Sequence, residues 1–62
     1  MKETIYQKLE RLLQDIKDRR VMLHNQEKEY RENGDYSKAL DRRSKNEALL
    51  PIETRVEEIL KP

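Results

Sequence analysis

The sequence predicts an all-α protein, a two-helix antiparallel hairpin that pairs with a second copy into a four-helix bundle. The only glycine, Gly34, precedes Asp35, so a residue that ends helices lies beside one that caps them. Apolar residues recur at heptad spacing before this turn. A chain of 62 residues also has few means of stabilising itself without a partner. We expect helices at about 4–32 and 35–61 within a single domain over residues 1–62.

The first helix is expected to begin at Thr4, because Gln7 lies at the right spacing to complete a capping box with it. After this cap, positions alternate spacings of four and three, the pattern of a packed heptad seam. The predicted seam contains Ile5, Leu9, Leu12, Ile16, Arg19, Leu23, Gln26 and Tyr30, widened on one side by Tyr6, Leu13 and Arg20. Its apolar part lies near the N-terminus, so we expect the tightest packing far from the turn.

The second helix has an apolar face that changes side along its length. Tyr36 and Leu40 share one side, whereas Ile52 and Ile59 point to nearly the opposite side at 100° per residue. Pro51 lies where the change occurs, and a proline inside a helix removes one backbone hydrogen bond. We therefore expect one continuous helix with a kink near Pro51.

Large aliphatic residues gather at the open end of the predicted hairpin, remote from the turn. Two antiparallel helices cover only one side of each other, so these residues would remain partly exposed in a monomer. Pairing of two hairpins into a homodimer would bury them. The predicted dimer interface consists of Leu9, Leu12, Ile16, Ile52, Val56 and Ile59.

Composition narrows the possible functions. Charged residues make up 44% of the chain but the formal net charge is +1, a balance typical of exposed helices with ion pairs. With no cysteine and one histidine, His24, the sequence predicts no metal site, no cofactor and no catalytic residue. We interpret His24 as an exposed or hairpin-edge residue, with a pH-sensitive contact as the alternative. No apolar run approaches the ~18 residues of a membrane span, and a signal-peptide core is missing, so we expect a cytoplasmic protein.

A basic belt forms where the two helices bring six cations to neighbouring levels: Lys17, Arg19, Arg20, Arg42, Arg43 and Lys45. Two interpretations are open. In the first, an interior ion network joins Arg19, Arg20 and Arg43 to Glu27 and Glu47 and fixes the register of the helices. In the second, Lys17, Arg42 and Lys45 form an exposed patch that binds phosphates or an acidic protein surface.

The residues after the turn carry a resemblance to known helical hairpins. The run from Asp35 to Arg43 resembles the UVR motif, in which Tyr36, Ala39 and Arg43 match, while Leu40 replaces a usual alanine and Ser44 a usual aspartate. The run from Gly34 to Leu40 also resembles a tetratricopeptide repeat, and together the resemblances cover about residues 28–51. They imply a hairpin used for protein contacts. The whole chain is similar in size and topology to small helical-hairpin accessory proteins of bacteriophages and plasmids.

These observations favour a non-catalytic module that binds another protein, as a small regulator, adaptor or inhibitor. The alternative is a dimer of helical hairpins that binds nucleic acid, similar to the plasmid protein Rop. The two hypotheses differ in salt dependence, because binding to phosphates weakens steeply with salt whereas an apolar protein contact does not.

Overall fold

The computed structural model describes residues 2–61 and consists of two helices, α1 (Ile5–Glu32) and α2 (Tyr36–Leu60), packed as an antiparallel hairpin. Its principal extents are 48 × 22 × 12 Å, so the hairpin is a single layer of helices. The predicted all-α hairpin and both helix positions are confirmed. The predicted domain includes Met1 and Pro62, which lie outside the described residues.

Helix α1 begins with the predicted capping box. The Thr4 hydroxyl oxygen accepts the backbone N–H of Gln7 at 3.1 Å, and Oε1 of Gln7 accepts the backbone N–H of Thr4 at 2.9 Å. Two N–H groups that would otherwise lack partners at the helix start are thereby satisfied.

The turn is a Schellman motif followed directly by the N-cap of α2. Gly34 has a φ of +78°, its N–H donates to Arg31 O at 3.1 Å, and the N–H of Asp35 donates to Tyr30 O at 2.8 Å. Oδ1 of Asp35 then accepts the backbone N–H of Lys38 at 3.3 Å. The chain therefore reverses within three residues, with the backbone groups of both helix ends satisfied locally.

Helix α2 continues through Pro51 without a break, as predicted, and the kink stays a prediction. Pro51 is exposed, so the carbonyl that loses its N–H donor lies on the solvent side of the helix. The Thr54 hydroxyl donates to Leu50 O at 3.0 Å in this same turn.

The residues that pack between the helices form an inner seam with spacings of three and four. Its members, all buried or half-buried, are Leu9, Leu13, Ile16, Arg20, Leu23, Glu27 and Tyr30 of α1, with Ala39, Arg42, Asn46, Leu49, Glu53, Val56 and Leu60 of α2. The predicted seam of α1 is wrong at three positions, because Ile5, Leu12 and Arg19 are exposed. Both versions keep Ile16 and Leu23 inside, and the partners that Arg20 finds on α2 are Asn46 and Glu53.

The apolar core is small. Ile16, Leu23, Ala39 and Val56 are the buried apolar residues among those described, at 7%, 6%, 3% and 6% exposure. Large apolar side chains that remain exposed are Ile5, Tyr6, Leu12, Val21, Met22, Tyr36, Leu40, Leu50, Ile52 and Ile59. The hairpin therefore leaves more large apolar side chains exposed than it buries.

Neither described helix is long and apolar enough to cross a membrane.

Candidate interaction surfaces

A polar layer divides the inner seam. Nε of Arg20 donates to Oδ1 of Asn46 at 2.8 Å, and the same guanidinium donates to Oε1 of Glu53 at 3.2 Å. The side chain of Arg20 is 29% exposed and that of Glu53 12% exposed, so the pair is largely withdrawn from water. A half-buried guanidinium needs such partners, and only one register of the helices supplies both.

The predicted interior network is wrong in most of its members. Arg43 and Glu47 bind each other at 3.1 Å on the exposed surface of α2, with side chains 59% and 67% exposed. Arg19 is exposed and forms no ion pair within residues 2–61. It directly precedes the seam residue Arg20, and one position along a helix turns a side chain by about 100° away from the seam. Glu27 is buried but pairs with Arg31 of its own helix. Glu53 is the carboxylate partner of Arg20, the role that the prediction gave to Glu47.

The predicted partner patch of Lys17, Arg42 and Lys45 is not a single surface. Lys17 lines a groove on one side of the hairpin, whereas Lys45 lines a groove on the other side. Arg42 is half-buried in the inner seam, with its side chain 26% exposed and bound to Asp41 at 2.6 Å. The two lysines lie on opposite flanks of the seam, so the heptad geometry separates them.

Tyr30 organises the seam beside the turn, a feature that was not predicted from the sequence. The Lys38 ammonium and the Arg42 guanidinium each lie 5.7 Å from the centroid of its ring. Such contacts contribute about 0.5–1 kcal/mol each at exposed sites. The sequence could have indicated this contact, because Lys38 and Arg42 lie four residues apart on α2 and the turn places them at the level of Tyr30.

The predicted dimer interface is split by the fold. Ile16 and Val56 are buried inside the single hairpin and Leu9 is half-buried, so the first two are already used. The remaining members, Leu12, Ile52 and Ile59, are exposed by 46%, 49% and 62%. The six residues therefore do not lie on one exposed surface of the single hairpin, because some face inward and others outward. The dimer itself stays a prediction.

The exposed members belong to a flat apolar face, defined here as Ile5, Leu12, Ile52 and Ile59. Seven residues make nearly two helical turns, so the members on each helix lie along one line. The next positions on the same lines are Arg19 and Lys45, which share one groove with Leu23, Ala48 and Leu49. The apolar face therefore adjoins a cationic region on the same side of the hairpin.

A second exposed surface runs along α2 outside the inner seam. This outer stripe consists of Tyr36, Leu40, Arg43, Glu47 and Leu50, spaced by four, three, four and three. Its three apolar residues are 68%, 63% and 45% exposed. Helix α2 thus carries two heptad stripes, of which the hairpin uses only the inner one.

Residues 2–61 contain no group of three or more His, Cys, Asp or Glu side chains arranged to hold a metal ion. His24 is exposed and lines the groove that also contains Lys17 and Val21.

No protein-family model matches the chain, and no curated protein or solved structure matches it either. The resemblance of residues 28–51 to UVR and tetratricopeptide hairpins stays a prediction.

Proposed function

We propose that the chain is a non-catalytic protein-interaction module of the cytoplasm, a small regulator, adaptor or inhibitor that binds through the outer stripe of α2. The observation that carries this proposal is the repeat of Tyr36, Leu40 and Leu50 at heptad spacing on a surface that the hairpin leaves exposed. Exposed apolar side chains that gather on one surface and have polar neighbours often mark a binding site. Tyrosine is also enriched among the residues that dominate binding energy at interfaces.

The occupant we infer is an amphipathic helix of another protein. Helix recognition uses anchors at i, i+4 and i+7, which matches the positions of Tyr36, Leu40 and Arg43. The centre of the stripe carries one cation and one anion, Arg43 and Glu47. A partner helix with an acid and a base at the facing positions would be held in one orientation by these charges.

Affinity capture from the native host, followed by mass spectrometry, tests this proposal. The wild-type chain and Val21→Glu should retain the same protein partner, because Val21 is 61% exposed but lies outside the stripe. Leu40→Glu should lose that partner at least tenfold while keeping its helical circular dichroism spectrum. A partner retained by Leu40→Glu would contradict the assignment of the stripe.

The competing occupants give different outcomes in the same experiment. If the stripe paired with itself in antiparallel fashion, Leu40 would meet Leu50 and Arg43 would meet Glu47, so Leu40→Glu would abolish self-association instead of capture. If the chain bound nucleic acid, the captured material would be RNA or DNA. Its binding would then fall steeply between about 50 and 200 mM salt. Either result would overturn the proposal.

A further inference from the structure

A groove beside the polar layer presents more hydrogen-bond donors than acceptors. Its volume of about 410 Å³ lies within the range of small-molecule sites. The residues that line it are Lys17, Arg20, Val21, His24, Asn46 and Glu53. The lysine and arginine side chains carry only donors, and Glu53 is the one carboxylate among the six. The groove therefore suits an anion better than a cation.

Three of these side chains project from one face of α1. Lys17, Arg20 and His24 follow one another at spacings of three and four, so they lie along about 10 Å of one helix face. Asn46 faces them from α2, where its Oδ1 accepts from Arg20 and its amide nitrogen keeps its donors for another acceptor. Donors therefore converge on the groove from both helices.

Arg20 is the fixed member of this group. Two of its five N–H groups donate to Asn46 and Glu53, at 2.8 and 3.2 Å, so three remain for another acceptor. These two contacts hold a side chain that is 29% exposed. A guanidinium that is already held in place loses little freedom when it binds an anion.

Lys17 carries a charge that no carboxylate neutralises within residues 2–61. It is exposed and belongs to none of the ion pairs there. An acid on the same helix could reach it from three or four residues away. None of these four positions is acidic, since they hold Leu13, Gln14, Arg20 and Val21. In the groove on the other side, by contrast, Lys45 pairs with Asp41 at 3.2 Å.

We propose that the groove of Lys17, Arg20 and His24 binds a dianionic phosphate group, either inorganic phosphate or the phosphate monoester of a small molecule. A tetrahedral phosphate accepts hydrogen bonds from several directions, which matches donors that converge from two helices, whereas a carboxylate has two oxygens in one plane. Glu53 opposes the anion, but its charge is paired with Arg20. The groove and the outer stripe share no residue, so the inference does not depend on the protein partner proposed above.

Titration of the isotope-labelled chain with inorganic phosphate, followed by NMR at constant ionic strength, tests the site. We expect shifts at the groove residues and a Kd on the order of 1–10 mM, since the groove is open and its charges are screened. Lys17→Gln and His24→Gln should each raise the Kd at least threefold, and both residues are exposed, so the core is untouched. Lys45→Gln is the matched control, because it removes the same charge from the other side of the hairpin and should leave the Kd unchanged.

Two further variants should change the affinity in opposite directions. Glu53→Gln should lower the Kd at least threefold, because it removes the one negative charge of the groove and keeps an oxygen that accepts from Arg20. Val21→Glu should raise the Kd at least threefold, because it adds a carboxylate four residues after Lys17. Leu40→Glu, which should lose the protein partner, should bind phosphate like the wild-type chain.

The chemical form of the phosphate separates its possible sources. Phenyl phosphate that binds more tightly than inorganic phosphate would identify a monoester, whose organic part contacts the 61% exposed Val21. Equal or weaker binding would identify the free ion. Dimethyl phosphate, a singly charged model of the nucleic-acid linkage, should bind at least threefold more weakly than either.

Three results would each overturn the proposal. The first is the absence of shifts at about 50 mM phosphate, well above the expected Kd. The second is a Kd that Lys17→Gln leaves unchanged, or that Lys45→Gln raises as much as Lys17→Gln does. The third is dimethyl phosphate binding as tightly as the dianions.

Discussion

The inner seam and the outer stripe of α2 follow the same heptad rule but have opposite environments. Both contain leucines, and both contain an arginine near a glutamate. In the seam, Leu23 is 6% exposed and Arg20 is held by two residues of the other helix. In the stripe, Leu40 is 63% exposed and Arg43 binds only a neighbour on its own helix.

Heptad spacing alone therefore does not decide which stripe turns inward. Apolar content is similar in the two, so the difference lies in the polar positions. Arg20 finds both Asn46 and Glu53 across the interface, whereas the pair in the stripe is complete within one helix turn. Long-range polar pairing thus selects the register, since a buried guanidinium without partners would be costly.

We expect the largest difference in stability between substitutions of two leucines, Leu23 of the inner seam and Leu40 of the outer stripe. Leu23→Ala should lower the free energy of unfolding by about 3 kcal/mol, because it removes buried methyl groups and leaves a cavity. Leu40→Ala should change it by less than ~0.5 kcal/mol, since the lost contacts are with solvent and alanine favours helix. Urea titrations of the parent chain and the two variants measure both values. Equal effects would show that the stripe is covered in the isolated chain.

Substitutions of two arginines, Arg20 of the inner seam and Arg43 of the outer stripe, should also differ in their cost to stability. Arg20→Ala strands Asn46 and the 12% exposed Glu53 and should cost about 1–2 kcal/mol. Arg43→Ala should cost less than ~0.5 kcal/mol, because its ion pair with Glu47 is exposed.

A double variant sharpens this second comparison. Arg20→Leu with Glu53→Leu should recover most of the lost stability, since replacing both members of a pair removes the unpaired charge. Chemical denaturation of the single and double variants gives the coupling between the two residues. No coupling would mean that the polar layer does not hold the register.

The sequence was enough to predict the hairpin, its caps and its turn, because these depend on residues within one or two helical turns of each other. The capping box of Thr4 and the positive φ of Gly34 are examples. It was not enough to choose between Leu12 and Leu13, since both lie beside the axis through Ile16 and Leu23. That choice depends on which residues of α2 stand opposite, which periodicity within α1 does not contain. The same ambiguity placed the exposed Arg19 in the predicted ion network, and it grouped the exposed Leu12 with the buried Ile16 in the predicted dimer interface.

The smallest effect concerns the turn, and it tests whether the turn or the polar layer determines which stripe faces inward. Gly34 has a φ of +78°, and a Cβ added there would have no neighbour within 4 Å, so a side chain meets strain but no clash. Gly34→Ala should therefore cost about 1 kcal/mol, and Gly34→Asn less, because asparagine tolerates the left-handed region better. Thermal melts measure this order. The polar layer should still hold the register, so Leu23→Ala should cost the same about 3 kcal/mol in the Gly34→Ala background. A much smaller cost there would show that the turn, not Arg20, sets the inner seam.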